Sequence, residues 1–288
     1  MPVYSVPPRR VLVATDLSAE AGKAVERAAS LAADCGADLH VVYAVPPQTA
    51  PELLEFAGSE LRSHLQRYTR AAPGGTAVTE VRSGHTAPVI LDEVAEADAD
   101  LLVVGARGAD GRAGVPVGGT PWNLVRASGI PMLLVREPPA TAYRTVLLAV
   151  DGTEPSRAAA RLGTVLFPGA GHLLARSCPV PGESLLAHQG VDEEGLRQLR
   201  NAVTEQVRPE VERLADGLDP RPVRVLVVPG RPQDTVAELA GTEEAQLVVV
   251  GTGTQSGLGH ALLGSVARHV MAWAPCDVLV VPGAGTGR

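Results

Sequence analysis

The sequence is poor in aromatic residues, which fill 3% of its 288 positions although 45% of them are hydrophobic. Its cores must therefore be built from Val, Leu and Ala, a filling that suits parallel sheets covered by Ala-rich helices. Cysteine is scarce: Cys35, Cys178 and Cys276 form no CxxC pair and leave an odd thiol. That argues against a disulfide framework and for a reducing compartment, so a cytoplasmic location is expected, with each cysteine a small buried hydrophobe. Basic charge is also short. The net charge of -7 and the pI near 5.5 argue against a nucleic acid or an anionic membrane as partner, since either would favour a basic face. Long apolar runs are missing, since the purest, such as Leu247 to Val250, fall far below the roughly 20 residues needed to span a bilayer. Met1 to Arg10 carries prolines and two arginines but no apolar stretch, so no secretory signal is expected. The seven histidines have no metal-ligand spacing, and no Ser, Cys or Thr stands in a nucleophile elbow with an assignable base. No catalytic residue and no metal site is predicted.

What is present is a duplication. A chain of this length suits two domains of about 140 residues, within the usual range of roughly 100 to 200. In the first half, apolar runs and helical periodicity predict five strands, Arg10–Thr15, Asp38–Val45, Ala77–Arg82, Asp100–Val104 and Met132–Arg136. Helices are predicted between them near Ala19–Asp34, Pro51–Arg70, Pro88–Glu96 and Pro121–Ala127. Runs such as Val11-Leu12-Val13-Ala14 are apolar at every position, so both sheet faces must be covered. A short proline-bearing stretch follows Arg136, and then the pattern restarts. Arg10-Val-Leu-Val-Ala-Thr-Asp16 recurs as Thr145-Val-Leu-Leu-Ala-Val-Asp151, and Ala99-Asp-Leu-Leu-Val-Val-Gly105 as Ala245-Gln-Leu-Val-Val-Val-Gly251. The offsets of 135 and then 146 place an insertion inside the second copy, in Pro179 to Asp192 and the charged helix Glu193 to Leu218. The expected domains are 1–138 and 144–288, with 139–143 as linker.

The most informative segment is the loop after the fourth strand. It reads Gly105-Ala-Arg107-Gly108, nine residues, then Gly118-Gly119-Thr120; in the second copy it reads Gly251-Thr-Gly253-Thr254, nine residues, then Gly264-Ser265-Val266. Glycines between the carboxyl end of a strand and a helix start admit close approach or positive φ. Exposed N–H groups and a hydroxyl there can donate to phosphate oxygens. Arg107 and Arg112 could pair with phosphate and Asp110 would oppose them, whereas His260 is the one such residue between Gly251 and Gly264. Two better-known phosphate loops are excluded. Gly259 to Ser265 has the outline of a Walker A loop without its lysine, and Gly251 to Gly257 misplaces the last glycine of the dinucleotide fingerprint and follows the wrong strand. An Asp ends each first strand, Asp16 and Asp151, ahead of a helix that Ser18 or Thr153 could cap; such an acid can accept from a sugar or base. Trp122 and Trp273, on the helices after the loops, are expected to be packing residues.

With the Thr15-Asp16 strand end, the Ser83-Gly84-His85 turn, the Val-Val-Gly105 and Val-Val-Gly251 loops and the closing Pro275-Cys-Asp-Val-Leu-Val-Val281, the chain resembles a tandem universal stress protein, whose motif is G-x2-G-x9-G-(S/T). The likeness covers nearly all of both halves. It implies two doubly wound α/β domains, Rossmann-like or flavodoxin-like and akin to the adenine nucleotide alpha hydrolases. Each would be a five-stranded parallel sheet flanked by helices. It implies ATP or AMP across the strand ends, with any Mg²⁺ carried by the nucleotide, and pairing through the last strands, either as a homodimer or as an internal pseudo-dimer. By resemblance, Ala14, Thr15, Asp16 and Val45 would hold adenine and ribose, and Val104, Gly105, Gly108, Gly118 and Gly119 the phosphates, with Arg107 and Thr120 beside them. Asp151, Val250, Gly251, Gly253, Thr254, Gly264, Ser265 and Val266 are the candidates of the second copy.

Neither copy matches the motif in full. The first has Gly119 where a hydroxyl is expected, at a cost of about one hydrogen bond, roughly 1 kcal/mol. The second has Thr254 in place of the second glycine, a departure that matters if that position needs positive φ. The counterpart of Val45 has no assignment, because His172-Leu-Leu-Ala-Arg-Ser-Cys178 reads as an irregular strand. The balance favours the first copy as the binder of a regulatory nucleotide in stress response. Two alternatives stand beside it: a nucleotide-independent interaction module with vestigial loops, and a nucleotide-dependent transferase or slow ATPase.

Overall fold

The computed structural model describes residues 6–69, 77–108, 117–137, 142–252 and 263–283. Strands and helices alternate within each half, except that two helices stand in succession in the second. The first half contains β1 (Arg10–Thr15), α1 (Ala19–Cys35), β2 (Asp38–Val45), α2 (Pro51–Tyr68), β3 (Ala77–Ser83), α3 (Thr86–Glu96), β4 (Leu101–Gly105), α4 (Gly119–Ala127) and β5 (Met132–Val135). The second contains β6 (Thr145–Ala149), α5 (Glu154–Leu166), β7 (Gly171–Cys178), α6 (Glu183–His188), α7 (Glu193–Asp216), β8 (Arg224–Pro229), α8 (Pro232–Thr242), β9 (Leu247–Gly251), α9 (Ser265–Trp273) and β10 (Asp277–Val281). The predicted helix at Pro121 starts two residues earlier, at Gly119, so the glycine that ends the loop is itself the first residue of the helix.

All ten strands form one sheet, in the order β3-β2-β1-β4-β5-β10-β9-β6-β7-β8. Within each half every pairing is parallel and the order is the Rossmann-like 3-2-1-4-5, which reverses direction between β1 and β4, and between β6 and β9. The halves join by a single antiparallel pairing, in which Leu134, Leu133 and Met132 of β5 meet Val278, Leu279 and Val280 of β10. The internal pseudo-dimer is thus realised as a continuous sheet.

Strands that are apolar at every position feed two cores at once. Val11 and Val13 of β1 point into a core under α1, α2, α5 and α7, while Leu12 points into the opposite one, under α3, α4, α8 and α9. Each core runs unbroken across the seam. Small residues let the helices lie close to the sheet. At Gly163 of α5 a Cβ would stand 2.6 Å from Leu148 and 3.1 Å from Val249.

A polar cluster sits at the seam. Asp277, 1% exposed, opens β10 and accepts at Oδ1 from the amides of Arg136 (2.7 Å) and Glu137 (3.2 Å), just past β5. Its Oδ2 accepts from the hydroxyl of Tyr143, with Arg27 of α1 at 3.8 Å and stacked 3.9 Å over the Tyr143 ring. Burial pushes the Asp277 carboxyl up, and these hydrogen bonds and Arg27 act against it. Three segments, the end of β5, the connection to β6 and α1, are tied to one carboxylate at the start of β10.

Candidate functional site

In a doubly wound sheet the point where strand order reverses leaves a crevice beyond the carboxyl ends of the two diverging strands. Each half has a cavity there. The first, of about 440 Å³, is lined by Ala14, Thr15 and Asp16 from the end of β1, Val104, Gly105, Arg107 and Gly108 after β4, and Gly118, Gly119 and Thr120 at the start of α4. Eleven of the residues expected from the sequence belong to this half, and ten of them meet here. Val45 is the exception. It is 4% exposed beneath the surface, where its carbonyl accepts the amide of Gly84, and β2 instead contributes Val42 and Ala44 to the wall. Strand alternation explains this: residues 42 and 44 share the face that Val45 does not. Thr86 and Ile90 of α3, Ala21 of α1 and Pro121 complete the lining and were not signalled by the sequence.

The loop is anchored at both ends. Ala106 donates to Val135 (2.8 Å) and Gly118 to the carbonyl of Ala106 (2.9 Å), so the chain returns to the strand end before entering α4. The helix begins at an N-cap glycine without a side-chain cap, and the first amides of a helix have no intrahelical acceptor. The glycines stand in different surroundings. Gly105 is pressed by the Arg107 carbonyl, 3.2 Å from where its Cβ would be, and Gly108 by Asp16 Oδ2, at 2.6 Å. Gly108 is not among the positive-φ residues, so what a side chain there would meet is the Asp16 carboxylate, which would have to turn aside, rather than a penalty of backbone handedness. Gly119 has nothing within 4 Å of a Cβ position.

Thr15 and Asp16 are held by local hydrogen bonds. Asp16 Oδ1 accepts the amide of Ser18 (3.0 Å), and Ser18 caps α1 by accepting from Ala21 (3.1 Å). Thr15 Oγ1 accepts the amide of Leu17 (3.1 Å) and lies 3.2 Å from His64 Nε2 of α2. Burial, and then the charge of Arg67, lower the His64 pKa, with Asp16 acting the other way. A neutral ring can accept the Thr15 hydroxyl proton.

The second cavity, of about 520 Å³, lies at the equivalent crevice. Asp151, Val250, Gly251, Gly264, Ser265 and Val266 line it as expected, while Gly253 and Thr254 lie outside the described residues, as do Asp110, Arg112 and His260. The loop closes as in the first copy, with Thr252 donating to Val281 and Gly264 to Thr252. Gly251 is pinned more tightly than Gly105, because a Cβ would fall 3.0 Å from the backbone of Pro155. Thr153, expected as a helix cap, gives its hydroxyl to Asp151 Oδ1 (2.6 Å) and makes no cap bond. Half-burial would raise the Asp151 carboxyl, but the Thr153 and Ser156 hydrogen bonds and the nearby Arg176 charge hold it below its usual value.

The strand read as irregular is regular. β7 pairs in parallel with β6 over Gly171–Ala175 and with β8 over Leu173–Cys178. This gives Val45 its counterpart. The amide of Gly230 donates to the carbonyl of Cys178 as that of Gly84 does to Val45. Of the two tryptophans, Trp122 packs on the core as expected, whereas Trp273, in the last turn of α9, is 64% exposed and its ring lies 6.4 Å from that of His269.

Among the described residues no group of three or more His, Cys, Asp or Glu could hold a metal ion, and no helix is long and apolar enough to cross a membrane.

Comparison with known proteins agrees with this geometry. A universal stress protein of Mycolicibacterium smegmatis is 26% identical over 94% of this chain and 96% of its own length. One from Thermus aquaticus is 34% identical over 140 residues, 48% of this chain and 98% of its own. Among solved structures, a universal stress protein from Archaeoglobus fulgidus superposes over 95% of this chain and 98% of its own with a TM-score of 0.67 at 16% identity, a likeness of fold. The sequence model of the universal stress protein family matches residues 8–136 and again 142–282, so the chain belongs to that family, as two copies in tandem.

Proposed function

We propose that the protein binds an adenine nucleotide, ATP or AMP, as a regulatory ligand in the cavity of its first half, and that it acts in this way in the cytoplasmic response to stress. The observation that carries the reading is the cavity itself, which combines an apolar wall of Val42, Ala44 and Ile90 with an uncapped helix start and Arg107. A base suits the first and phosphate the second. In this reading Ala14, Thr15 and Asp16 receive base and ribose. Gly105, Gly108, Gly118, Gly119, Thr120 and Arg107 receive the phosphates, with Mg²⁺ arriving on the nucleotide. We read the ligand as regulatory; Asp16, the one carboxylate among the described lining residues, is positioned by the hydrogen bond it accepts from the Ser18 amide.

The test is calorimetry and thermal melting of nucleotide-stripped protein with ATP, ADP and AMP. Binding with a rise in Tm is expected. Absence of heat and of any shift at millimolar concentration would sink the proposal.

A further inference from the structure

Helix α2 runs well past the sheet. His64 reaches Thr15 at the carboxyl end of β1, and from His64 back to Pro51 there is roughly 20 Å of helix. In the second half α7 does the same, since Glu210 meets Arg176 near the end of β7 and the helix begins only at Glu193. The two outer stretches are furnished differently. On α7 the chain that enters the helix lies back along it: a Cβ placed on Gly195 would stand 2.8 Å from Val191, and Arg200 holds Glu183 and Glu193. On α2 the connection from β2 is short, from Val45 to Pro51, and carries no helix. The outer stretch is bare, with Leu53 57% and Phe56 62% exposed. Three residues apart on one helix, they are neighbours and form a single apolar patch. The chain has two phenylalanines, and the other, Phe167, is buried.

The charges around the patch select what fits it. Glu52 and Glu60 lie four residues to either side of Phe56, with Glu55 beside it, and all three are exposed. None of them enters an ion pair among the described residues, and the first arginine of α2 is Arg62. A second copy of the chain is a poor occupant. Another α2 brings the same carboxylates, and α6, whose Leu185 is 62% exposed, is bordered by Glu183, Asp192, Glu193 and Glu194. Like charges brought together oppose such contacts, and they oppose an anionic membrane equally. The complement is both apolar and basic.

We propose that the outer half of α2 is a docking surface for a basic amphipathic helix of another protein. Phe56 and Leu53 are its anchors, and Glu52, Glu55 and Glu60 form the charged rim that meets the Lys or Arg flanks of the partner. The second half has no equivalent surface, because its own inserted segment lies along α7.

The full chain is titrated, with fluorescence anisotropy as readout, against a labelled peptide of about five helical turns with Leu on one face and Lys on the other. A peptide of the same pattern with Glu in place of Lys is the control. Saturable binding of the Leu–Lys peptide alone is expected. Leu53→Ser with Phe56→Ser should weaken it at least about tenfold, the scale of an aromatic anchor. Glu52→Gln with Glu60→Gln should weaken it several-fold, and added salt should do the same to the unaltered chain. Leu185→Ser removes a leucine as exposed as Phe56 and should leave the affinity within about twofold. All these side chains lie at the surface, so Tm should hold in every variant. Absence of binding, equal affinity in the Leu53 and Phe56 variant, or equal affinity for the Glu control would each overturn the proposal. So would a doubling of the chain's mass in light scattering that Phe56→Ser abolishes, since a second copy would then own the surface.

Discussion

At the scale of single residues, the glycine positions make separable predictions. Gly119→Ser adds a hydroxyl where a side chain meets no atom within 4 Å. Nucleotide affinity should rise by a factor of about 5, the value of one net hydrogen bond near 1 kcal/mol, with Tm almost unchanged. Gly251→Ala instead forces a Cβ to 3.0 Å from backbone atoms of Pro155 that cannot rotate away. A loss of about 1–3 kcal/mol in urea unfolding is expected. Two buried histidines predict an acid-side loss of stability. Burial lowers the pKa of His64 and, opposed by a hydrogen bond to Gly163, that of His172. Their unfolded values lie near roughly 6.5, so as pH falls through that value the unfolded chain takes up protons first and stability falls with it. His172 is 1% exposed and its Nε2 has no hydrogen-bond partner among the described residues. Leu39 occupies the equivalent place in β2, facing Val11 as His172 faces Val146. His172→Leu should therefore flatten the difference between urea midpoints at pH 7.5 and 5.5, and an unchanged difference would refute this account.

At the scale of elements, most of the fold is readable from the sequence because its signals are local. β1 and β2 have the predicted limits, since continuous apolar runs bounded by Arg10 and Asp38 and by Asp16 and Pro46 leave little choice. The loop glycines follow from spacing, whereas their return to the strand end, through the Gly118 amide and the Ala106 carbonyl, is seen only in the fold. What stays hidden depends on partners distant in sequence. β7 reads as irregular because Arg176 and Ser177 interrupt its apolar run, yet Arg176 is satisfied by Glu210, 34 positions later on α7, and Ser177 by the carbonyl of Gly230. Val42 and Ala44 carry no mark that sets them apart from Val45, because the choice of face is made by register with β1. The Thr15–His64 contact joins two elements 49 residues apart. The inserted helix α6 supplies an element-level prediction. It buries no residue, and Arg200 of α7 holds it through Glu183. Replacing residues 180–191 with a five-residue linker, the length that joins β2 to α2, should change the unfolding free energy by less than about 1 kcal/mol, since loop closure costs grow slowly with length. A larger loss on thermal or urea melting would show that α6 belongs to the core.

At the scale of the whole molecule, the seam decides how the halves behave. Asp277 is buried and meets four partners from three separate segments, so Asp277→Ala leaves Arg27 and the amides of Arg136 and Glu137 without their shared acceptor. Breaking a buried charge cluster on one side costs about 3–5 kcal/mol. The expected outcome is a matching fall in urea stability and a second transition as the halves begin to melt separately. A single transition at the original midpoint would deny the cluster its role. The antiparallel joint between β5 and β10 has one more effect. Because strand direction reverses there, the carboxyl ends of β1 and β4 face one way and those of β6 and β9 the other. The two mouths look out from opposite margins of the molecule, so no flat partner surface covers both. Under the nucleotide-binding proposal, a ligand in one cavity is therefore presented on a different side of the molecule from a ligand in the other.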